Sequence, residues 1–189
     1  HLKKTNILYM ICTLSYRARL SRYLALNMVA SGELPSIDLY REDLWPPLDP
    51  TEDVVVWNFD DVDSSATFVP GTSAPTTVLT TLNSTDSGYS YQIIAPVLAS
   101  GWAFLGELHK INPVGVQRNF HVQQMTHSVK PKDVKGTSTV LKVTVTGTPG
   151  EDCEFAAWVP RGNANMSNGQ VQRQQVTIGQ DGTAAVTFQ

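Results

Sequence analysis

Cysteine is scarce in this sequence, which holds only Cys12 and Cys153 among its 189 residues. Neither belongs to a CxxC pair, so the spacing excludes a disulfide-rich scaffold and the common zinc-binding patterns. Each lies in an apolar run, ILYMICTL or CEFAAWV, and we therefore predict buried free thiols. The sequence does not decide whether they form a disulfide with each other, because that depends on the distance between the two residues in the fold.

A large charge of one sign and a long hydrophobic run are also missing. The net charge is −3 at pH 7, which is too small to indicate a nucleic-acid partner. The run ILYMICTL is far shorter than the roughly 20 residues that cross a bilayer, so no membrane partner is predicted. With 41% hydrophobic and 16% charged residues, the composition is that of a globular protein.

Motifs that hold cofactors or metals are absent as well. The sequence has no glycine-rich phosphate loop and no G-x-S-x-G nucleophile elbow. His109, His121 and His127 form neither an HxH nor an HExxH pattern. The acids of DDVD (60–63) lack the glycine and distal glutamate of a calcium loop, so a solvated turn is the better interpretation. We predict no cofactor and no metal.

Pairs of carboxylates are the one catalytic arrangement that the sequence can suggest. Glycoside hydrolysis uses two carboxyl groups, and the separation of those groups in space decides the mechanism. Glu107 with Asp133, or Glu151 with Glu154, are the pairs considered. Glu151 belongs to the turn TPGED, where charge is ordinary. We therefore predict no catalytic residue, and whether the chain is part of an enzyme stays uncertain.

The charges that are present divide the chain into two predicted parts. Residues 1–32 carry five bases and no acid, whereas residues 33–63 carry ten acids and one base, Arg41. Apolar residues recur at near-helical spacing from Ile7 to Met28, which predicts a helix through about residue 29. The expected domains are an N-terminal helical, basic segment at 1–32 and a β-sandwich at 33–189.

Short β-branched and aromatic runs separated by glycine and proline turns fill the second part. This pattern predicts an antiparallel β-sandwich rather than an α/β core. QDG (180–182) is a hairpin-like turn signal between the last two runs. The predicted strands are DVVVWNF (53–59), TTVLTTL (76–82), YSYQIIAPVL (89–98), GWAFLGEL (101–108), FHVQQMTHSV (120–129), VLKVTVTG (140–147), CEFAAWVP (153–160), VQRQQVTIG (171–179) and TAAVTFQ (183–189).

Tryptophan and asparagine supply the candidate surface sites. Trp57, Trp102 and Trp158 lie inside apolar runs and are predicted to be core residues, whereas Trp45, in DLWPP, is less constrained and is the candidate ligand-binding residue. Asn83 and Asn165 match the N-glycosylation pattern in predicted loops. They would be used only in a secreted protein, and the sequence leaves the compartment undecided between cytoplasm and secretion.

Two stretches, LPSIDLYREDLWPPLDPTEDVVVWNF (34–59) and YQIIAPVLASGWAFLGELHKINPV (91–114), carry a family resemblance. The first resembles the passage from barrel to C-terminal sandwich in raffinose synthase-like, alkaline α-galactosidase-like glycosidases. The second resembles a later strand pair of the same sandwich, in which an APV strand turns into a G-x-A-x-L-G strand. With VTVTGTPGEDCEFAAWVP, the resemblance extends over roughly residues 34–189.

The resemblance implies a non-catalytic β-sandwich whose partner is a catalytic (β/α)₈ barrel or another protein subunit, with carbohydrate as the substrate class. The family's catalytic aspartates lie on the barrel, so no catalytic residue carries over. Two other functions stay open: a viral capsid or projecting jelly-roll-type domain, and a stand-alone Ig-like or carbohydrate-binding module. Assembly into large particles would indicate the first, and saturable glycan binding that Trp45→Ala weakens would indicate the second.

Overall fold

The described residues fold mainly into β-strands, which confirms the predicted mainly β, antiparallel architecture. The computed structural model describes residues 7–13, 22–28, 37–44, 48–58, 66–74, 77–82, 89–98, 100–108, 121–133, 136–160 and 169–189. A single 3₁₀ turn, Arg41–Asp43, is the one helical element within these ranges. The strands are β1 Ile7–Thr13, β2 Arg22–Met28, β3 Ile37–Leu39, β4 Val54–Asn58, β5 Thr67–Val69, β6 Thr80–Leu82, β7 Tyr89–Pro96, β8 Ala103–Glu107, β9 His121–Asp133, β10 Gly136–Thr146, β11 Asp152–Pro160, β12 Gly169–Thr177 and β13 Thr183–Phe188.

The described strands form four antiparallel sheets. The largest has the order β1-β2-β7-β4-β5, and the smallest pairs β3 with β6. Two three-stranded sheets, β12-β11-β8 and β13-β10-β9, contain the C-terminal part of the chain. Apolar side chains fill the spaces between sheets, so the architecture is a sandwich of stacked layers rather than one open sheet.

The predicted N-terminal helix is not found in the described residues. Ile7–Thr13 and Arg22–Met28 are strands that pair with each other, with Ile7 opposite Met28. β2 also pairs with β7, and Leu24 lies opposite Ile93. An apolar spacing of three and four residues is ambiguous in short runs, and pairing with a buried strand outweighs the modest helical propensity of leucine, alanine and methionine. The domain boundary at residues 32 and 33 stays a prediction.

Three apolar cores lie between the layers. The central core joins β4 and β7 to β8 and β11. The N-terminal core covers the other face of β4 and β7, and the C-terminal core lies between β8 and β11 on one side and β10 and β13 on the other. Their main buried members are Val55, Trp57, Ile93, Leu105 and Trp158 in the central core, Leu39, Leu44, Val54 and Ile94 in the N-terminal core, and Phe104, Leu141, Val143, Phe155 and Phe188 in the C-terminal core.

Successive residues of the inner strands enter different cores, which explains their unbroken apolar runs. Val54 packs in the N-terminal core and Val55 in the central core, while Phe104 and Leu105 divide between the C-terminal and central cores. Side chains alternate between the two faces of a strand, so a strand buried on both faces needs apolar residues at nearly every position. Glu107, the last residue of β8, is the charged exception and is 5% exposed.

Two turns fix how the layers connect. Between β7 and β8, Gly101 has φ +87° and its amide donates to the Leu98 carbonyl at 2.8 Å. A Cβ at Gly101 would lie 3.1 Å from Cγ of Pro160, so glycine suits both the backbone and the space. The predicted turn at QDG is also found, with the Gly182 amide donating to the Gly179 carbonyl at 2.9 Å. It does not close a hairpin within one sheet, because β12 and β13 belong to different sheets.

Candidate functional site

The residues predicted from the sequence to carry a site lie outside the described residues. This holds for Trp45, for Asn83 and for Asn165, as well as for the acids of 60–63 and for His109. Their ligand-binding and glycosylation roles stay predictions. His121 and His127 lie on β9, opposite Thr146 and Leu141.

The residues predicted to be buried are confirmed where the structure describes them. Trp57 and Trp158 are 0% exposed and Trp102 is 1% exposed. Cys153 is a buried thiol, outside any disulfide, at the edge of the C-terminal core. These four side chains are packing residues, so they leave the candidate site to the polar parts of the surface.

A buried arginine organises the stretch that leads into β4. Arg41 opens the 3₁₀ turn and is only 5% exposed, although it carries a full charge. Its Nη1 donates to the Glu52 carbonyl at 2.6 Å, and its Nη2 donates to the Pro70 carbonyl at 3.0 Å. One planar guanidinium thereby joins two segments that are far apart in sequence.

The electrostatics of this group follow from its burial. Loss of water around the guanidinium lowers the pKa of Arg41 from its ordinary value, and the charges of Asp53, Glu52 and Asp49 act in the opposite direction. An arginine guanidinium is effectively always protonated in proteins, so the side chain stays cationic at physiological pH. The acidic surroundings therefore balance a buried positive charge.

Backbone contacts extend the same arrangement to the loop before β4. The Gly71 amide donates to Oδ1 of Asp53 at 2.7 Å, and the Thr72 amide donates to the Pro50 carbonyl at 2.7 Å. A Cβ at Gly71 would collide with the backbone of Thr51, so the two segments touch closely. We call Arg41, Glu52, Asp53, Pro70 and Gly71 the Arg41 clasp.

The clasp fixes both sides of the loop that contains Trp45. Leu44 and Leu48 are 1% and 5% exposed and lie in the N-terminal core. The Leu48 amide also donates to the Arg41 carbonyl at 3.2 Å. Leu44 and Leu48, which flank residues 45–47 in the sequence, are therefore anchored in the N-terminal core. In the sequence, the signal for the clasp is the single base among ten acids in residues 33–63.

An open cavity of about 480 Å³ lies between strands β12 and β13. Its lining includes the apolar side chains of Val176 and Phe188 and the polar side chains of Gln172, Gln174 and Thr187. Gln172 crosses from one strand to the end of the other, with Nε2 donating to the Gln189 carbonyl at 2.7 Å. We call this feature the β12–β13 groove.

The chemistry of the groove is that of binding rather than reaction. Strands β12 and β13 contain one charged side chain, Arg173, and no carboxylate, histidine or cysteine. A primary amide neither gives up nor takes a proton near neutral pH, but it donates and accepts hydrogen bonds together. The described walls of the groove can therefore hold a polar partner without a general acid or base.

A second open cavity, of about 370 Å³, lies between strands β11 and β12. Asp152 and Glu154 line it together with Gln175, and Thr177 Oγ1 donates to Asp152 Oδ1 at 2.6 Å. Within the described parts of the chain, no three side chains among His, Cys, Asp and Glu come together as a metal site. The carboxylates here are therefore surface groups beside a strand pair.

Comparisons with known proteins add no family to this description. Protein-family models, curated proteins and solved structures gave no match to the chain. Over the residues that the structure describes, there is also no helix with the length and apolarity needed to span a membrane.

Proposed function

We propose that residues 33–189 form a non-catalytic β-sandwich of a carbohydrate-active enzyme of the raffinose synthase and alkaline α-galactosidase type. One observation carries the proposal: the two stretches that resemble this family, 34–59 and 91–114, supply neighbouring strands of the fold. β4 comes from the first stretch and pairs with β7, which continues into β8 in the second. Trp57 lies opposite Ile93 within this pair.

The described features support a scaffolding role for these strands. β4, β8 and residues 93–95 of β7 are largely buried, and their side chains fill the central core together with Trp158. Such strands are rigid because they are held by hydrogen bonds to neighbouring strands and by packing on their faces. In the resembling enzymes the catalytic aspartates lie on a barrel, so a rigid sandwich would support that barrel or frame the mouth of its active site.

The Arg41 clasp has a defined task under this proposal. Its residues Arg41, Glu52 and Asp53 lie within the stretch, 34–59, that in the resembling family leads from the barrel into the sandwich. Two hydrogen bonds from one buried guanidinium tie this passage to the Glu52 and Pro70 carbonyls. The clasp would set the direction in which the chain enters the sandwich, and Trp45 would contact the neighbouring domain or its carbohydrate.

The proposal is tested by the mass of the native protein in its source. An antibody raised against residues 130–189 should detect a protein several times larger than 20.7 kDa. The purified parent should hydrolyse α-galactosides or transfer galactose from them. A native band near 20.7 kDa, or a large parent that does not act on α-galactosides, would overturn the proposal.

A pair of variants connects that activity to the clasp. Arg41→Met in the parent should lower the temperature at which galactosidase activity is lost, because the passage into the sandwich loses its two anchors. Thr67→Met, at an exposed position of β5, is the control and should leave that temperature unchanged. Equal effects of the two substitutions would contradict the assigned task of the clasp.

The two other functions predict different results for the isolated chain. A capsid or projecting domain should form large symmetric particles, which light scattering and electron microscopy would detect. A stand-alone carbohydrate-binding module should bind glycans saturably, and Trp45→Ala should weaken that binding. Either result, together with a native mass near 20.7 kDa, would replace the proposal.

A further inference from the structure

Sheet edges differ in how they are protected against pairing with another chain. An exposed edge strand offers unpaired N–H and C=O groups, and proteins block it with proline, lysine, bulges or short length. β5 has three residues and precedes Pro70, while β9 carries Pro131 between Lys130 and Lys132. β8 has five residues and an irregular register with β11.

β12 has none of these protections. It is an edge of its sheet, and its nine residues, GQVQRQQVT, contain no proline and no lysine. Its register with β11 is continuous from Gly169 opposite Pro160 to Thr177 opposite Asp152, without a bulge. Among the described strands, β12 is the longest edge that lacks both proline and an irregular register.

The groove leaves space beside this edge. The β12–β13 groove, of about 480 Å³, follows β12 along the residues Gln172, Gln174 and Val176. Alternate residues of a strand share a face, so Gln170 belongs to the same row of amides. The side chains of an added strand would therefore lie next to this row of glutamines and close to the apolar side chains of Val176 and Phe188.

We propose that β12 pairs antiparallel with β12 of a second copy of this chain. The two sheets of order β12-β11-β8 would then join into one continuous sheet across a two-fold axis. This inference concerns a surface separate from the central core and does not depend on the proposed enzyme family.

A second copy is the occupant because β12 is complementary to itself. In an antiparallel pair, residues directly opposite each other have side chains on the same face of the sheet. A two-fold axis perpendicular to the sheet must therefore lie midway between one residue of β12 and the same residue of the second copy. An axis at Arg173 would place two guanidinium groups opposite each other, which is destabilising. An axis at Gln172 places Arg173 opposite Val171 of the second copy.

Glutamine makes the register at Gln172 favourable. Gln172 meets Gln172 of the second copy, and Gln174 meets Gln170 of the second copy at two symmetric positions. Each amide has two N–H donors and one carbonyl acceptor, so amides of the same kind can bond reciprocally. Within the chain, Gln172 Nε2 donates to the Gln189 carbonyl at 2.7 Å and Gln174 Nε2 donates to the Gln175 carbonyl at 3.4 Å, so each amide keeps a second N–H donor for the partner.

Cysteine substitution tests both the pairing and its register. Residues directly opposite in antiparallel strands have Cα atoms about 4.5–5.5 Å apart, which a disulfide can join. Gln172→Cys should therefore form a covalent dimer under mild oxidation. Gln175→Cys is the matched control, because the two copies of residue 175 would be about 20 Å apart along the strand and should stay unlinked.

The unmodified chain supplies the second measurement. Sedimentation should give twice 20.7 kDa, and Gln172→Lys should reduce it to 20.7 kDa by placing two ammonium groups opposite each other. Thr67→Lys, on the exposed edge β5, should leave the dimer intact. Circular dichroism would verify that each variant is folded.

Three results would overturn the proposal. The first is a monomer of the unmodified chain at every concentration measured. The second is cross-linking of Gln175→Cys as efficient as that of Gln172→Cys. The third is a dimer that survives Gln172→Lys while Gln172→Cys fails to cross-link, which would place the contact on another surface.

Discussion

Strands β8 and β12 flank the same neighbour, β11, but occupy opposite environments. All five residues of β8 are buried, whereas no residue of β12 is fully buried. β8 lies between the central and C-terminal cores, while most of β12 extends beyond them. The comparison shows that the place of a strand between the layers, rather than its pairing, decides how apolar its residues must be. Even in β8 the one charged residue, Glu107, is the last of the strand.

The two environments also contribute differently: the buried strands stabilise the fold, whereas the polar strand β12 offers a surface for contacts. Burial of a large apolar side chain contributes about 1.5–3 kcal/mol, and β4, β7 and β8 bring many such groups together. The glutamines of β12 contribute little to a core, so they can serve a contact surface without destabilising the fold. Substitutions in the two regions should accordingly differ in size, and four of them measure the difference.

The largest effect is expected in the central core. Trp57→Ala removes a side chain that is 0% exposed and leaves a cavity between two sheets. We expect the free energy of unfolding to fall by about 3–5 kcal/mol, measured by urea denaturation. Gln175→Ala on β12 is the control and should change it by less than about 0.5 kcal/mol. Equal losses would contradict the division between the two regions.

The Arg41 clasp should give the next largest effect. Arg41→Met removes both hydrogen bonds and leaves the Glu52 and Pro70 carbonyls without this donor, at a cost of about 1–3 kcal/mol. Arg41→Lys should recover part of the loss, because an ammonium keeps the charge but lacks the planar fork. The midpoint of urea unfolding measures both variants. An unchanged midpoint for Arg41→Met would show that the clasp is not a stabilising element.

A smaller effect is expected at the turn that connects the layers. Gly101→Ala places a side chain at φ +87° and 3.1 Å from Cγ of Pro160, so we expect a loss of about 1–2 kcal/mol in unfolding free energy. Gly150→Ala is a matched control with φ +77° and nothing within 4 Å of the new Cβ. Thermal or urea denaturation of the pair separates backbone strain from crowding, and a greater loss at Gly150 would refute the role of Pro160.

Much of this division could be predicted from the sequence, and part of it could not. The runs around Trp57, Trp102 and Trp158 predicted strands and buried tryptophans, because unbroken runs of apolar, β-branched and aromatic residues are typical of buried strands. Burial on both faces was not predictable, since an apolar run does not show which sheet covers each face. The N-terminal helix was wrong because pairing of Arg22–Met28 with β7 depends on residues far away in the sequence.

The candidate sites were less predictable than the fold. The clasp depends on a contact between Arg41 and the Pro70 carbonyl, and no local pattern encodes a contact across that separation. The groove depends on the passage of the chain from one sheet to another at QDG, where the sequence predicted a simple hairpin. Trp45, Asn83 and Asn165 lie outside the described residues, so their roles stay predictions.

The smallest expected effect concerns acid stability at the turn between β12 and β13. Thr183 donates to Asp181 through its amide at 3.0 Å and its Oγ1 at 2.7 Å, and the hydroxyl bond is the main cause of the lowered pKa of Asp181. A carboxyl pKa that is lower in the folded state stabilises the fold above the ordinary value of 3.8. That contribution disappears as the pH falls through the lowered pKa.

Asp181→Asn removes this titration, so the variant should be less stable than the unmodified chain at neutral pH. The difference in unfolding free energy should shrink as the pH falls below 3.8, because protonation then weakens the same bonds in the unmodified chain. Urea denaturation at a series of pH values measures the difference. Thr183→Val keeps the amide donor and removes the hydroxyl. The pH dependence of its unfolding free energy should therefore lie between those of the unmodified chain and Asp181→Asn. A difference that stays constant across this range would mean that Asp181 stabilises the turn through its shape and not through its charge.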